Sequence, residues 1–148
     1  MTLISPFVGR ITDWHKKAQG VGEIPVASDP GVASVKRIYG YYRSRGYRTS
    51  VMAASFRSLG QVFELAGCDL LTLSPELIQE LATRDGEVER RLVPDAAQNT
   101  APPPHLSAAH FRFAHNEDAT AVELLSSGIR SFNRDARQLE QYAARLVR

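Results

Sequence analysis

Three short apolar runs, each closed by a serine and followed by a stretch of helical period, constrain this chain more than any other feature. The runs are Met1 to Ile4, Thr49 to Ala54 and Leu70 to Leu73. They end at Ser5-Pro6, Ser55-Phe56-Arg57 and Ser74-Pro75. A short apolar run bounded by turn residues reads as a buried strand. Strands that alternate with helices imply right-handed crossovers and a parallel sheet. Such runs expect cover on both faces of the sheet. Three strands are few for an independent sheet, so the chain reads as a piece of something larger.

The stretches between the runs carry helix signals. Phe7, Val8, Ile11 and Trp14 share one helical face, which breaks near Gly20 and Gly22. Residues 20 to 28 read as a loop. Asp29-Pro30 is a helix start: the carboxylate accepts free N–H groups, and proline at the first position loses no bond. Val32, Val35, Ile38, Tyr39 and Tyr42 form the stripe that follows, and Gly46 ends it. The next helix turns Leu59, Val62, Phe63 and Ala66 inward and stops at Gly67. After Ser74-Pro75, Leu77, Ile78 and Leu81 face inward. Residues 83 to 106 carry charge and then Pro102-Pro103-Pro104, a surface excursion without period. Residues 107 to 148 read as helical. Leu125, Ile129, Phe132, Ala136, Leu139, Ala143 and Leu146 alternate by four and three, a spacing that would suit a coiled coil. Two of the seven are only alanine, so a long helix lying on a domain is the preferred reading.

Composition narrows the function classes. At 148 residues the chain suits one domain, long enough to bury roughly two-thirds of its unfolded surface. Its 43% hydrophobic and 23% charged content excludes a disordered or collagen-like chain. A net charge of +2 gives no footprint for nucleic acid or an anionic membrane. No run approaches the roughly 18 apolar residues of a membrane span, and MTLISPFVGR lacks the pattern of a signal peptide. Cys68 is the one cysteine, which excludes an intrachain disulfide and suits a reducing, cytoplasmic setting.

Candidate chemistry gathers at the strand ends. In parallel α/β proteins ligands bind beyond the carboxyl ends of strands, beside helix N-termini. Ser5 and Arg10 follow the first strand; Ser55 and Arg57 follow the second. Two hydroxyls, two guanidiniums and helix N–H groups would make a phosphate site. On composition alone, capping serines and surface arginines are the plainer reading. His105, His110 and His115 recur every five residues, which does not place them on one helix face, so no metal site is expected. Cys68 reads as a buried structural thiol. The three lysines, Lys16, Lys17 and Lys36, fall on expected helices rather than strands, unlike a Schiff-base lysine in a desolvated pocket. Neither a Walker loop nor a dinucleotide glycine fingerprint is present.

Six blocks then resemble one family in order and spacing. They are ISPFVGRITDW (4–14), DPGV (29–32), VMAASFR (51–57), AGCD (66–69), LTLSPEL (71–77) and HNEDATAVELLSSGIRSF (115–132). They resemble the transaldolase family of the longer, Schiff-base type, over essentially the whole chain. Ala53 stands where that family usually has glycine, Ser58 where it has asparagine, Phe113 where it has tryptophan and Thr120 where it has methionine. Met1 stands where it usually has valine.

The resemblance implies an α/β fold: the C-terminal three strand–helix units of a (β/α)8 barrel, plus C-terminal helices, forming a single partial-barrel domain over 1–148. A whole barrel takes about 250 residues, so the first five strands are expected to lie outside this chain. It implies transfer of a dihydroxyacetone unit between sugar phosphates in the pentose phosphate pathway, without cofactor or metal. It implies a homodimer for the full-length enzyme. It assigns Ser5 and Phe7 to the substrate site, and Arg10, Ser55 and Arg57 to the phosphate site. The Schiff-base lysine and the acid–base carboxylates belong to earlier strands, so the isolated chain is expected to be inactive. Two other functions compete: a sugar-phosphate-binding fragment without chemistry, and a structural half that complements another polypeptide.

Overall fold

The computed structural model describes residues 1–93 and 105–147. The chain divides into two compact units, Met1–Pro103 and Pro104–Arg148.

The first unit is built on three parallel strands, β1 (Leu3–Ile4), β2 (Ser50–Ala53) and β3 (Leu70–Leu71), in the order β1-β2-β3. Leu3 pairs with Ser50 and Ile4 with Val51; Met52 pairs with Leu70 and Ala53 with Leu71. The strands are shorter than the apolar runs because β1 and β3 each pair on one side only among the described residues. The extended chain runs on past them: Ser50 N donates to Thr2 O at 2.9 Å and Thr72 N to Ala53 O at 2.9 Å. The mixed α/β class and the parallel sheet follow the sequence expectation.

Two helices, α1 (Val8–Gln19) and α2 (Pro30–Ser44), connect β1 to β2. Gly20 closes α1 at φ 68°, a left-handed conformation that costs glycine nothing. Asp29 caps α2 as its sequence predicts, accepting from Gly31 N and Val32 N. Gly31 lets the start of α2 touch α1, since a Cβ there would stand 2.2 Å from Val8 O. α3 (Leu59–Glu64) connects β2 to β3, and α4 (Pro75–Ala82) follows β3. α3 ends two residues before the expected Ala66, because Leu65 N and Ala66 N turn to Val62 O and Phe63 O in a tighter winding before Gly67.

The core contains Val8, Val32, Val35, Tyr39, Val51, Ala53, Phe56, Leu59, Val62 and Leu65. The expected inward stripe of α1 is mostly not buried. Phe7 is 38% exposed and Ile11 and Trp14 are half-buried, whereas Val8 and the polar Thr12 are buried. On α4, Leu77 and Leu81 pack on the core but Ile78 is exposed. The stretch after α4 is irregular through residue 93, yet Leu92 enters the core, with Arg91 N and Leu92 N both donating to Ala66 O at 2.9 Å. The three prolines at 102–104 lie outside the described residues.

The second unit consists of α5 (Ala108–Glu117) and α6 (Ala119–Leu146). Ser107 caps α5 and Asp118 caps α6. The four–three stripe of α6 is uncovered within this unit: Leu125, Ile129, Phe132, Leu139 and Leu146 are all exposed.

Candidate functional site

Parallel pairing of β1 and β2 brings the segments that leave them side by side. A bridge between Phe7 and Ala54 extends the ladder, and Ala54 N donates to Pro6 O at 3.0 Å. The chain then turns into α1 on one side and into the loop before α3 on the other. Ser55 takes φ 63°, and no other described non-glycine residue has positive φ. Such a conformation costs a side-chain-bearing residue about 1–2 kcal/mol and persists where surroundings impose it.

The surroundings here are explicit. Val8 N donates to Ala54 O at 2.9 Å and Gly9 N to Ser55 O at 2.7 Å. The first two N–H groups of α1 therefore hold the loop after β2. This corrects the expectation that they are free for an anion. Gly9 is required at that contact. A Cβ there would stand 2.2 Å from Ser55 O and 2.7 Å from Arg57 Cζ, so only a bare α-carbon lets the loop and the guanidinium lie on the helix.

Arg57 is fixed by four contacts. Its Nη1 donates to Ser55 Oγ at 3.0 Å and Ser55 O at 3.2 Å. Its Nε and Nη2 both donate to Asp13 Oδ2, at 3.0 and 2.8 Å. Arg10, the residue after Gly9, places its guanidinium over the Phe7 ring, 4.7 Å from the centroid. Of the five expected site residues, the structure joins Ser55 to Arg57 and Phe7 to Arg10, with Gly9 between the pairs. Ser5 lies one residue past β1, half-buried.

A buried polar network supports this loop from beneath. Gln61 Oε1 accepts from Arg57 N at 2.7 Å, and Gln61 Nε2 donates to Asp29 Oδ2 at 2.7 Å. Thr12 Oγ contacts Asp29 Oδ1 at 2.7 Å. Thr12, Asp29 and Gln61 are 2–3% exposed. One carboxyl thus joins α1, the start of α2 and α3, and Arg57's main chain hangs from it. A satisfied buried network of this kind fixes one geometry, and its loss is costly. Reading the sequence missed Gly9, Thr12, Asp13 and Gln61. No local period marks them, because their partners lie 44 and 49 residues away.

The other candidates are separate from this place. Cys68 donates its thiol to Val51 O at 3.2 Å, and burial pushes its pKa up, the state of an unreactive structural thiol. His105 and His110 are exposed, and His115 stacks on Phe111. Among the described residues no three His, Cys, Asp or Glu side chains gather where a metal could be held. Lys16 and Lys17 lie on α1 and Lys36 on α2, where it pairs with Glu64. No described helix is long and apolar enough to cross a membrane.

Comparison with known proteins gives one answer. The family model described as Transaldolase/Fructose-6-phosphate aldolase matches residues 1–143. A transaldolase of Marinomonas sp. is 54% identical over 139 residues, 94% of this chain and 43% of that protein. One of Edwardsiella ictaluri is 52% identical over 145 residues, 98% of this chain and 45% of that protein. One of Alteromonas mediterranea is 53% identical over 138 residues, with 93% and 43% covered. The chain thus spans less than half the length of these relatives.

Proposed function

The chain belongs to the transaldolase/fructose-6-phosphate aldolase family, and we propose that it supplies the phosphate-holding part of a (β/α)8 transaldolase. In this reading the whole enzyme moves a dihydroxyacetone unit from sedoheptulose 7-phosphate to glyceraldehyde 3-phosphate. The products are erythrose 4-phosphate and fructose 6-phosphate. The reading carries with it a cytoplasmic, homodimeric enzyme of the pentose phosphate pathway that needs no cofactor.

The observation that carries it is the pairing of Ser55 with Arg57 beyond β2, laid on Gly9 beside Arg10. With Nε, Nη1 and one Nη2 hydrogen engaged by Asp13 and Ser55, Arg57 offers a phosphate its charge and the remaining Nη2 hydrogen, and the Ser55 hydroxyl adds a second donor. Arg10 brings a second positive charge. Ser5 and Phe7, leaving the neighbouring strand, would meet the sugar. Such a site lies where barrel enzymes bind ligands, past the carboxyl ends of the strands.

The chemistry belongs elsewhere in the whole enzyme. A Schiff base needs an unprotonated amine in a desolvated pocket. All three lysines here sit on helices, and Lys36 is ion-paired. This chain therefore binds and orients, and the nucleophile comes from a strand outside it. Borohydride reduction with fructose 6-phosphate should give no covalent adduct on the isolated chain. A labelled lysine would contradict that. Titration with fructose 6-phosphate tests the site itself. Arg57→Ala should lose about 1.5–3 kcal/mol of binding, roughly tenfold to hundredfold. Arg57→Lys should recover part, because an ammonium keeps the charge but loses the planar fork that meets Asp13 and Ser55 together. Unchanged affinities with intact melts would reduce Arg57 to a surface residue.

A further inference from the structure

We propose that Asp13 is a positioning residue for this anion grip: it holds the Nε edge of Arg57 and so presents the opposite edge to an incoming phosphate. The inference rests on the reading that Arg57 and Ser55 hold a phosphate.

The guanidinium has five N–H donors in one plane. Nε and one Nη2 hydrogen converge on Asp13 Oδ2 at 3.0 and 2.8 Å, and Nη1 faces Ser55 O and Oγ at 3.2 and 3.0 Å. Planarity then puts the remaining Nη2 hydrogen on the edge that Nη2 shares with Nη1. As an acceptor of the Nη1 hydrogen, that hydroxyl keeps its own proton to donate. That Nη2 hydrogen and the Ser55 hydroxyl are the donors the pair can offer an anion.

Asp13 adds little to stability. Its side chain is 50% exposed and that of Arg57 is 42% exposed, so water screens the pair. The same screening weakens the repulsion between Asp13 and a bound phosphate. What remains is orientation. Arginine has many rotamers, and holding it in the binding one in advance spares that ordering on association. Both N–H groups meet a single oxygen of Asp13, so one amide oxygen suffices to replace it.

The test is titration of the 148-residue chain with inorganic phosphate, read from the Arg57 Nε–H resonance and backbone amides, on wild type, Asp13→Ala, Asp13→Asn and Arg57→Ala, with melts alongside. Asp13→Ala should melt like wild type, lose the separate, slowly exchanging Nε–H signal, and bind phosphate roughly threefold to tenfold more weakly. Asp13→Asn should keep the signal and bind within about twofold of wild type. Asp13→Ala binding as tightly as wild type, or more tightly, overturns the inference while a loss in Arg57→Ala leaves the phosphate site standing. Wild type and Arg57→Ala responding alike overturns the phosphate site and the inference with it.

Discussion

The loops after β2 and β3 begin alike and end differently. Each leaves its strand through a serine and enters a helix. After β3, Ser74 caps α4 by accepting from Leu77 N at 3.4 Å, and Ser74, Pro75 and Glu76 are all exposed. After β2, Ser55 is bent to positive φ, its carbonyl is held by α1, and the next residues hang from a buried carboxyl. A serine after a strand is an ordinary cap until other parts of the chain reach over to it. The difference lies in what the neighbours contribute, not in the serine.

The contact with α1 should break the comparison most sharply. Gly9→Ala drives a methyl into the carbonyl of Ser55 and should cost about 3 kcal/mol or more. Gly40→Ala, at a helical glycine with nothing within 4 Å, should instead stabilise by about 0.5–1 kcal/mol. Denaturant midpoints of the two variants check both. Equal shifts would mean that the loop after β2 yields freely. Next comes the network. Gln61→Ala strands Asp29 Oδ2 and Arg57 N and should cost about 2 kcal/mol, against about 1 kcal/mol for loss of the cap in Ser74→Ala.

Strain separates stability from binding. Ser55→Gly removes the penalty of positive φ, so its melt should hold or rise by up to about 1 kcal/mol. Its affinity for fructose 6-phosphate should nonetheless fall, since the hydroxyl is gone. A smaller effect belongs to the other loop. Ser74's hydroxyl holds the Glu76 carboxyl below its ordinary value of 4.5. A lowered carboxyl contributes stability that is complete above 4.5 and disappears as pH falls through the lowered value. Glu64, held low by its bond to Lys36, has the same sign. Stability measured against pH between roughly 5 and 2 should flatten slightly in Glu76→Gln made in a Glu64→Gln background. An unchanged profile would leave that cap electrostatically silent.

Much of the frame was legible because its signals are local. Asp29-Pro30 caps α2 as read, and Gly20, Gly46 and Gly67 all take positive φ where the helices were expected to stop. The stripe of α2 buries Val32, Val35 and Tyr39 as its period requires. The candidate site was half legible. Ser55 and Arg57 stood out as a serine and an arginine after a strand, and the family resemblance singled them out. Asp13 and Gln61 look in sequence like ordinary polar residues of two helices. Their role comes from contacts with residues 32 to 49 positions away in sequence, which periodicity cannot show. Trp14 and Ile11 misled for the opposite reason. Their spacing is helical and apolar, but the buried face of α1 runs through Val8, Gly9 and Thr12: Val8 enters the core while Thr12 joins the polar network.

The most direct measurement is a map of backbone amide shifts during titration of the chain with fructose 6-phosphate. If the loop after β2 is a built phosphate site, residues 5–10 and 55–61 should move together along one binding curve while residues 72–77 stay still. Shifts centred on the loop after β3, or no saturable shifts at all, would contradict it.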